Sequence, residues 1–223
     1  MRSLLVFWLL LASAPAGGES KPDPSEWAIV PGVRVGPVRA DTCHAALVEK
    51  LGPRRVRVAD VPLGEGEIEQ GSVLWPDDPT RRLEILWQDR QRRCWPGRVI
   101  IRNRARHWRT AEGIGLGTSL KQLERVNTRP FTLSGFGWDY GGTVISWQTG
   151  ALDGKLKGCD PDCPPDRILV RLAPLPSRIR ALARAEHEQV LGDRSISSSH
   201  PVMRKLDPRV VGLAVLFTKP EVK

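Results

Sequence analysis

A short pattern written twice constrains this chain more than any other feature. Gly32-Val-Arg-Val-Gly36 leads to Asp41-Thr42, then the run 43–51, then Gly52. Gly113-Ile-Gly-Leu-Gly117 leads to Thr118, then the run 119–126, then Asn127. Thr42 and Thr118 suit helix N-caps, because a side-chain oxygen accepts from an amide that has no partner in the first turn. Leu47 and Leu123 each fall five residues after their threonine. Gly52 and Asn127 suit the left-handed residue that ends a helix.

Strand-like runs broken by turn residues follow each short helix. After the first come 55–61, 72–75, 83–87 and 98–101; after the second come 131–133, 143–147, 168–172 and 210–217. Leu83-Glu-Ile-Leu-Trp87 and Thr143-Val-Ile-Ser-Trp147 share one pattern. A longer helix, 177–191, is expected before the last strand, with Ile179, Leu182, Ala183, Glu186 and Val190 along one mostly apolar stripe. The expected fold is α+β, with two tandem units of a short helix plus about four antiparallel strands. The units span residues 27–109 and 110–223, the second carrying the inserted helix.

The chain opens like an export signal. Arg2 is followed by an uncharged apolar run at 4–11, and Ala14-Pro15-Ala16 offers small residues for cleavage after Ala16. That run is shorter than the roughly 20 residues a membrane span needs, so residues 1–16 are expected to leave as a signal peptide. Residues 17–26, rich in Gly, Pro and polar groups, are expected to form a flexible leader. No later stretch is apolar enough to span a membrane, so a soluble protein of the periplasm or medium is expected.

Export changes what the charge means. The chain carries 34 Lys and Arg against 25 Asp and Glu. In the cytoplasm such a balance suggests nucleic acid; outside it the available polyanions are lipid headgroups, surface glycans and acidic proteins. The expected partner is therefore an envelope protein or an anionic surface component, not nucleic acid. Export also bears on the four cysteines, because disulfides persist in oxidising compartments. Three pairings are possible. The tight turn Cys159-Asp-Pro-Asp-Cys163 favours Cys159–Cys163, which leaves Cys43–Cys94. The histidines, His44, His107, His187 and His200, lack the paired spacing of a zinc site.

Gly-x-x-x-Gly, a threonine, a short helix, a closing residue and then an antiparallel sheet resembles the SmpA/BamE lipoprotein domain. In tandem the pattern resembles the β-lactamase-inhibitor-protein superfamily, over residues 32–103 and 113–172. Gly135-Phe-Gly-Trp-Asp-Tyr-Gly-Gly142 also resembles segments of bacterial secreted proteins. These resemblances imply a non-enzymatic, protein-binding role in the bacterial envelope. The cleavage site has no lipid-attachment cysteine, which departs from the lipoprotein pattern.

Motifs for catalysis are sparse. A G-x-S-x-G nucleophile elbow is absent from the sequence, and Gly113–Gly117 matches neither dinucleotide nor Walker spacing. No cofactor is expected. Carboxylates at Glu65, Glu67, Asp77, Asp78 and Asp139 could pair for glycoside hydrolysis, which needs two across a cleft; this glycan-hydrolase reading is the alternative to binding. Trp75-Pro-Asp-Asp-Pro79 reads equally as a turn. Asp153, Asp160, Asp162 and Asp166 match no defined calcium loop. A Cys–His nucleophile at Cys43 and His44 would need a free thiol.

Two surfaces remain. Residues 90–109 hold eight arginines and no acidic residue. Arg92, Arg93, Arg102 and Arg104 are the contact candidates there, since a guanidinium binds carboxylate or phosphate with two prongs. The other is the glycine-rich run 134–142, where Phe136, Trp138, Asp139 and Tyr140 suit a binding loop. Their plainer roles are a solvated strand face and a bulge whose aromatics plug the core.

Overall fold

The computed structural model describes residues 24–154, 156 and 168–218. The signal segment, most of the leader, the Cys159–Cys163 pair and Asp160, Asp162 and Asp166 lie outside these residues. The fold is α+β, as expected.

After a single 3-10 turn, β1 (Ala28–Val30), β2 (Arg34–Val35) and β3 (Val38–Arg39) lead into α1 (His44–Leu51). A meander follows: β4 (Val56–Gly64), β5 (Glu67–Leu74), β6 (Leu83–Asp89) and β7 (Cys94–Arg102). Then come β8 (Arg109–Thr110), α2 (Leu120–Asn127), β9 (Thr132–Ser134), β10 (Val144–Ser146) and β11 (Ile168–Ala173). The chain continues through α3 (Pro176–Arg180), α4 (Arg184–Glu188), β12 (Ser195–Ser197), α5 (Pro201–Leu206) and β13 (Arg209–Leu216).

The expected second sheet is not separate from the first. β13 pairs antiparallel with β7, giving one six-stranded sheet in the order β11-β13-β7-β6-β5-β4. Over their paired residues both strands alternate buried and more exposed positions in the same sense, so pairing them satisfies two edges and continues one core face. Val99, Ile101, Leu213 and Val215 face that core and are essentially buried. Leu47 of α1 and Leu120 and Leu123 of α2 belong to the same buried cluster.

The same hydrogen bonds anchor both short helices. Thr42 O accepts from Trp95 N and His44 N donates to Arg93 O; Thr118 O accepts from Val210 N and Leu120 N donates to Pro208 O. Each helix entrance is thus tied to the start of its later strand. The two threonines do not cap their helices. Instead Thr42 Oγ1 accepts from Arg39 N at 2.8 Å and Thr118 Oγ1 from Gly115 N at 3.1 Å, closing the preceding turn. Ser119 caps α2 through a reciprocal pair with Gln122, and Thr128, not Asn127, is the left-handed residue at φ 63°.

The long helix expected at 177–191 is two short ones. The Ala183 amide donates to the Glu186 carboxylate at 3.2 Å, which starts α4 afresh. Most of the segment is exposed, so little burial holds it straight; Val190 alone of its stripe is fully buried. Among the described residues no helix is long and apolar enough to cross a membrane.

A Cys43–Cys94 disulfide links α1 to β7 across 51 residues, and closing a loop of that size stabilises by about 4 kcal/mol. Beside it, Trp87 Nε1 donates to Ser72 Oγ at 2.9 Å, and Ser72 Oγ lies 2.8 Å from His44 Nδ1. Ser72 thus bridges the indole of Trp87 and the imidazole of His44.

Two predictions follow from these buried polar groups. Asn127 is fully buried; its Nδ2 donates to Arg129 O and Trp147 O, and its Oδ1 accepts from Leu152 N. Asn127→Leu strands all three backbone groups and should lower stability by about 3 kcal/mol in urea unfolding. Desolvation, aided by Arg93, holds the His44 pKa below its ordinary 6.5. The unfolded chain therefore binds the proton more readily, and stability falls as pH drops through and below that ordinary value. His44→Gln should flatten this part of the pH–stability curve, read by midpoints of denaturation between neutral and mildly acidic buffers.

Candidate functional site

The outward face of the six-stranded sheet carries a groove. Because Val99 and Ile101 face the core, strand alternation turns Arg98, Ile100 and Arg102 outward. β13 and β11 extend this floor in register: Ala214 lies beside Ile100 and Leu169, and Gly212 lies between Arg102 and Arg171. A cavity of about 570 Å³ occupies the floor. Pro62 and Leu63 of the β4–β5 hairpin line it, as do Ser134 at the end of β9 and Trp138, Asp139 and Tyr140 of the loop that follows.

Curvature brings those walls together. In a flat sheet β4 would lie three strand spacings, about 14 Å, from β7. Here Arg102 Nη1 donates to Pro62 O at 3.0 Å, so the hairpin folds over the sheet face. Gly71 permits the bend, since a Cβ there would lie 2.4 Å from Ile85 O. The hairpin tip then reaches the aromatic loop, where the Glu65 amide donates to Asp139 Oδ2 at 2.6 Å. A charge-assisted bond thus links β4 to the loop beyond the opposite edge strand.

The aromatic loop divides its side chains between two tasks. Phe136 turns inward and is only 7% exposed; its amide donates to Val190 O and its carbonyl accepts from Gly192 N. It plugs the core and is no contact residue. Gly142 has φ +78°, and a Cβ there would lie 2.0 Å from Leu172 O, so glycine is required for this close approach. Trp138 and Tyr140 stay outside at 36% and 48% exposure, edge to face with centroids 5.6 Å apart. Trp138 Nε1 donates to Gly135 O at 2.9 Å, which fixes its ring.

The eight arginines of 90–109 do not form one strip. Arg92 pairs with Asp89 at 2.7 Å and stacks over Trp95 at the β6–β7 turn, while Arg93 donates to Gln70. Arg104 is exposed in the turn after β7. Arg98 and Arg102 line the groove. Alternation and the hairpin turn scatter the group over both ends of β7, so the joint surface expected for Arg92, Arg93, Arg102 and Arg104 is not formed.

Within the groove the cations differ in their commitments. Arg102 Nη2 meets Glu84 at 2.5 Å, and that buried carboxylate also takes Arg82 Nε at 3.1 Å. Arg171 Nε donates to Gly141 O at 3.2 Å. The half-buried Arg98 guanidinium makes no hydrogen bond or ion pair with any described residue. Arg98 and Arg171 were legible as outward positions by alternation, but their place in one groove depends on β11, β13 and β7 being neighbours.

The carboxylates suit structure better than hydrolysis. Asp78 and Glu65 sit beyond opposite ends of β5. Desolvation acts to raise the Asp78 pKa, but hydrogen bonds from Thr80 and the charge of Arg81 outweigh it, leaving it below the ordinary carboxylate value. A general acid needs the opposite shift. Asp139 is engaged by the Glu65 amide. Among the described residues no group of three or more His, Cys, Asp or Glu gathers as metal ligands.

Comparison with known proteins found no matching family model, no similar curated protein and no similar solved structure.

Asp139→Ala removes the acceptor that links hairpin and loop. Hydrogen exchange at the Glu65 amide should accelerate by tenfold or more, as expected for losing a bond of about 1.5 kcal/mol to a charged group. Exchange in β7 should be unchanged.

Proposed function

We propose that this chain is a non-catalytic binding protein of the bacterial envelope, periplasmic or secreted, built from two tandem helix-plus-sheet units. Its contact site is the groove, and its ligand is an envelope protein segment or another anionic component. One observation carries the reading: a half-buried arginine without a partner among the described residues lies on the floor of a cavity walled by Trp138 and Tyr140. A partly desolvated cation is favoured when an anion completes it, and rigid aromatics supply contact area at small entropic cost. The Cys43–Cys94 disulfide fits an oxidising compartment, and the N-terminal apolar run supports export.

The test is native mass spectrometry of the chain exported and purified without denaturation, beside a Trp138→Ala, Tyr140→Ala variant. A bound species present in the wild type and depleted in the variant is expected. Bare chain in both, or equal occupancy in both, contradicts the reading.

A further inference from the structure

The groove's lining narrows the ligand. It is in the size range of small-molecule pockets, roughly 300–1,000 Å³, and combines an apolar floor with charged groups, Arg98, Arg102, Arg171, Asp139 and Asp193. Ile100, Leu169 and Ala214 form the middle of that floor. Arg98 and Arg102 are four residues apart on β7, about 13 Å along the strand. The cations at the two ends of the cavity therefore differ in their commitments. At the hairpin end Arg102 shares the Glu84 carboxylate with Arg82, Arg171 donates to Gly141 O, and Asp139 takes the Glu65 amide. At the other end stands Arg98, flanked across the strands by Leu86 and Leu216.

We infer that the groove binds a fatty-acid-like amphiphile, its carboxylate on Arg98 and its acyl chain running over Ile100 and Ala214 toward Trp138 and Tyr140. This rests on the binding role proposed above and adds the ligand's chemistry. The Arg98 guanidinium can donate two parallel hydrogen bonds to a carboxylate. It stands about 13 Å along the strand from Arg102, so it matches a single negative charge, and Asp139 and Asp193 in the same lining add repulsion for a phosphate dianion. The hairpin and loop meet at the Glu65–Asp139 bond, which closes that end of the groove; an acyl chain can stop there, whereas an extended polypeptide would need an open path.

Gly212 gives a clean means of blocking the site. A Cβ there meets nothing nearer than Arg171 Cβ at 3.9 Å, and its φ is not in the left-handed region. Gly212→Leu therefore fills the floor between Arg102 and Arg171 without backbone collision.

The experiment is isothermal titration of the delipidated full chain with dodecanoate, dodecyltrimethylammonium and an extended apolar peptide ending in a free carboxylate, each below its aggregation threshold. Dodecanoate should bind one to one, and at least tenfold more tightly than the cation of the same chain length. Arg98→Gln should weaken dodecanoate by about 10- to 100-fold, the range for losing hydrogen bonds to a charged group, with thermal unfolding unchanged. Gly212→Leu should abolish binding, and Arg92→Gln at the distant turn should leave it intact. Equal binding of both surfactants, or full affinity in folded Arg98→Gln and Gly212→Leu, overturns the inference. Saturation by the peptide but not by dodecanoate overturns it and leaves the binding role standing. No saturation by any probe, with bare chain by native mass spectrometry, overturns both.

Discussion

The pairing of β7 with β13 is the constraint on which the rest depends. It joins a strand that follows α1 to one that follows α2, with Arg98 opposite Leu216 and Ile101 opposite Leu213. The pairing makes the core continuous beneath the sheet and the groove floor continuous above it. Arg98, Ile100 and Arg102 come from β7, Gly212 and Ala214 from β13, and Leu169 and Arg171 from β11. Strand pairing also explains why the helix entrances matter: Thr42 and Thr118 hold α1 and α2 to the strands that form the seam.

Curvature then converts a floor into a cavity. Gly71 lets β5 bend over β6, Arg102 draws Pro62 inward, and Asp139 takes the amide of Glu65. Each is a polar or steric detail laid on an apolar frame. Glu84 illustrates the balance. A carboxylate buried on the outward face would be costly alone, yet Arg82 and Arg102 both reach it. Satisfying Glu84 engages Arg102, whereas the Arg98 guanidinium has no partner among the described residues.

Much of this was legible in the sequence where local patterns decide the outcome. Alternation and turn residues located strands at β4 to β7 and β13, and the two leucines that share a spacing from Thr42 and Thr118, Leu47 and Leu123, are both buried. The even cysteine count and the tight 159–163 turn left Cys43–Cys94 as a pair. The sequence was less informative wherever distant partners decide. Thr42 looks like a cap because it precedes a helix, but its hydroxyl closes the turn behind it. Residues 177–191 have helical spacing, but with little to pack against, Glu186 restarts the helix instead of continuing it. The arginines of 90–109 look like one charged strip in linear order; a turn and a two-residue period send them to different surfaces. Phe136 and Trp138 are two residues apart in a glycine-rich loop, and only the contact of Phe136 with residues 190–192 separates plug from wall. The same dependence hid Arg171.

One ligand surface is proposed to span the seam where β13 pairs with β7. Its most direct test is a two-dimensional amide NMR titration of the isotope-labelled chain with dodecanoate. The account predicts saturable shifts at Arg98–Arg102 and, at the same ligand concentrations, at Leu169–Arg171 and Val211–Ala214, with the β6–β7 turn unaffected. Shifts confined to one side of the seam, or centred on that turn, would contradict it.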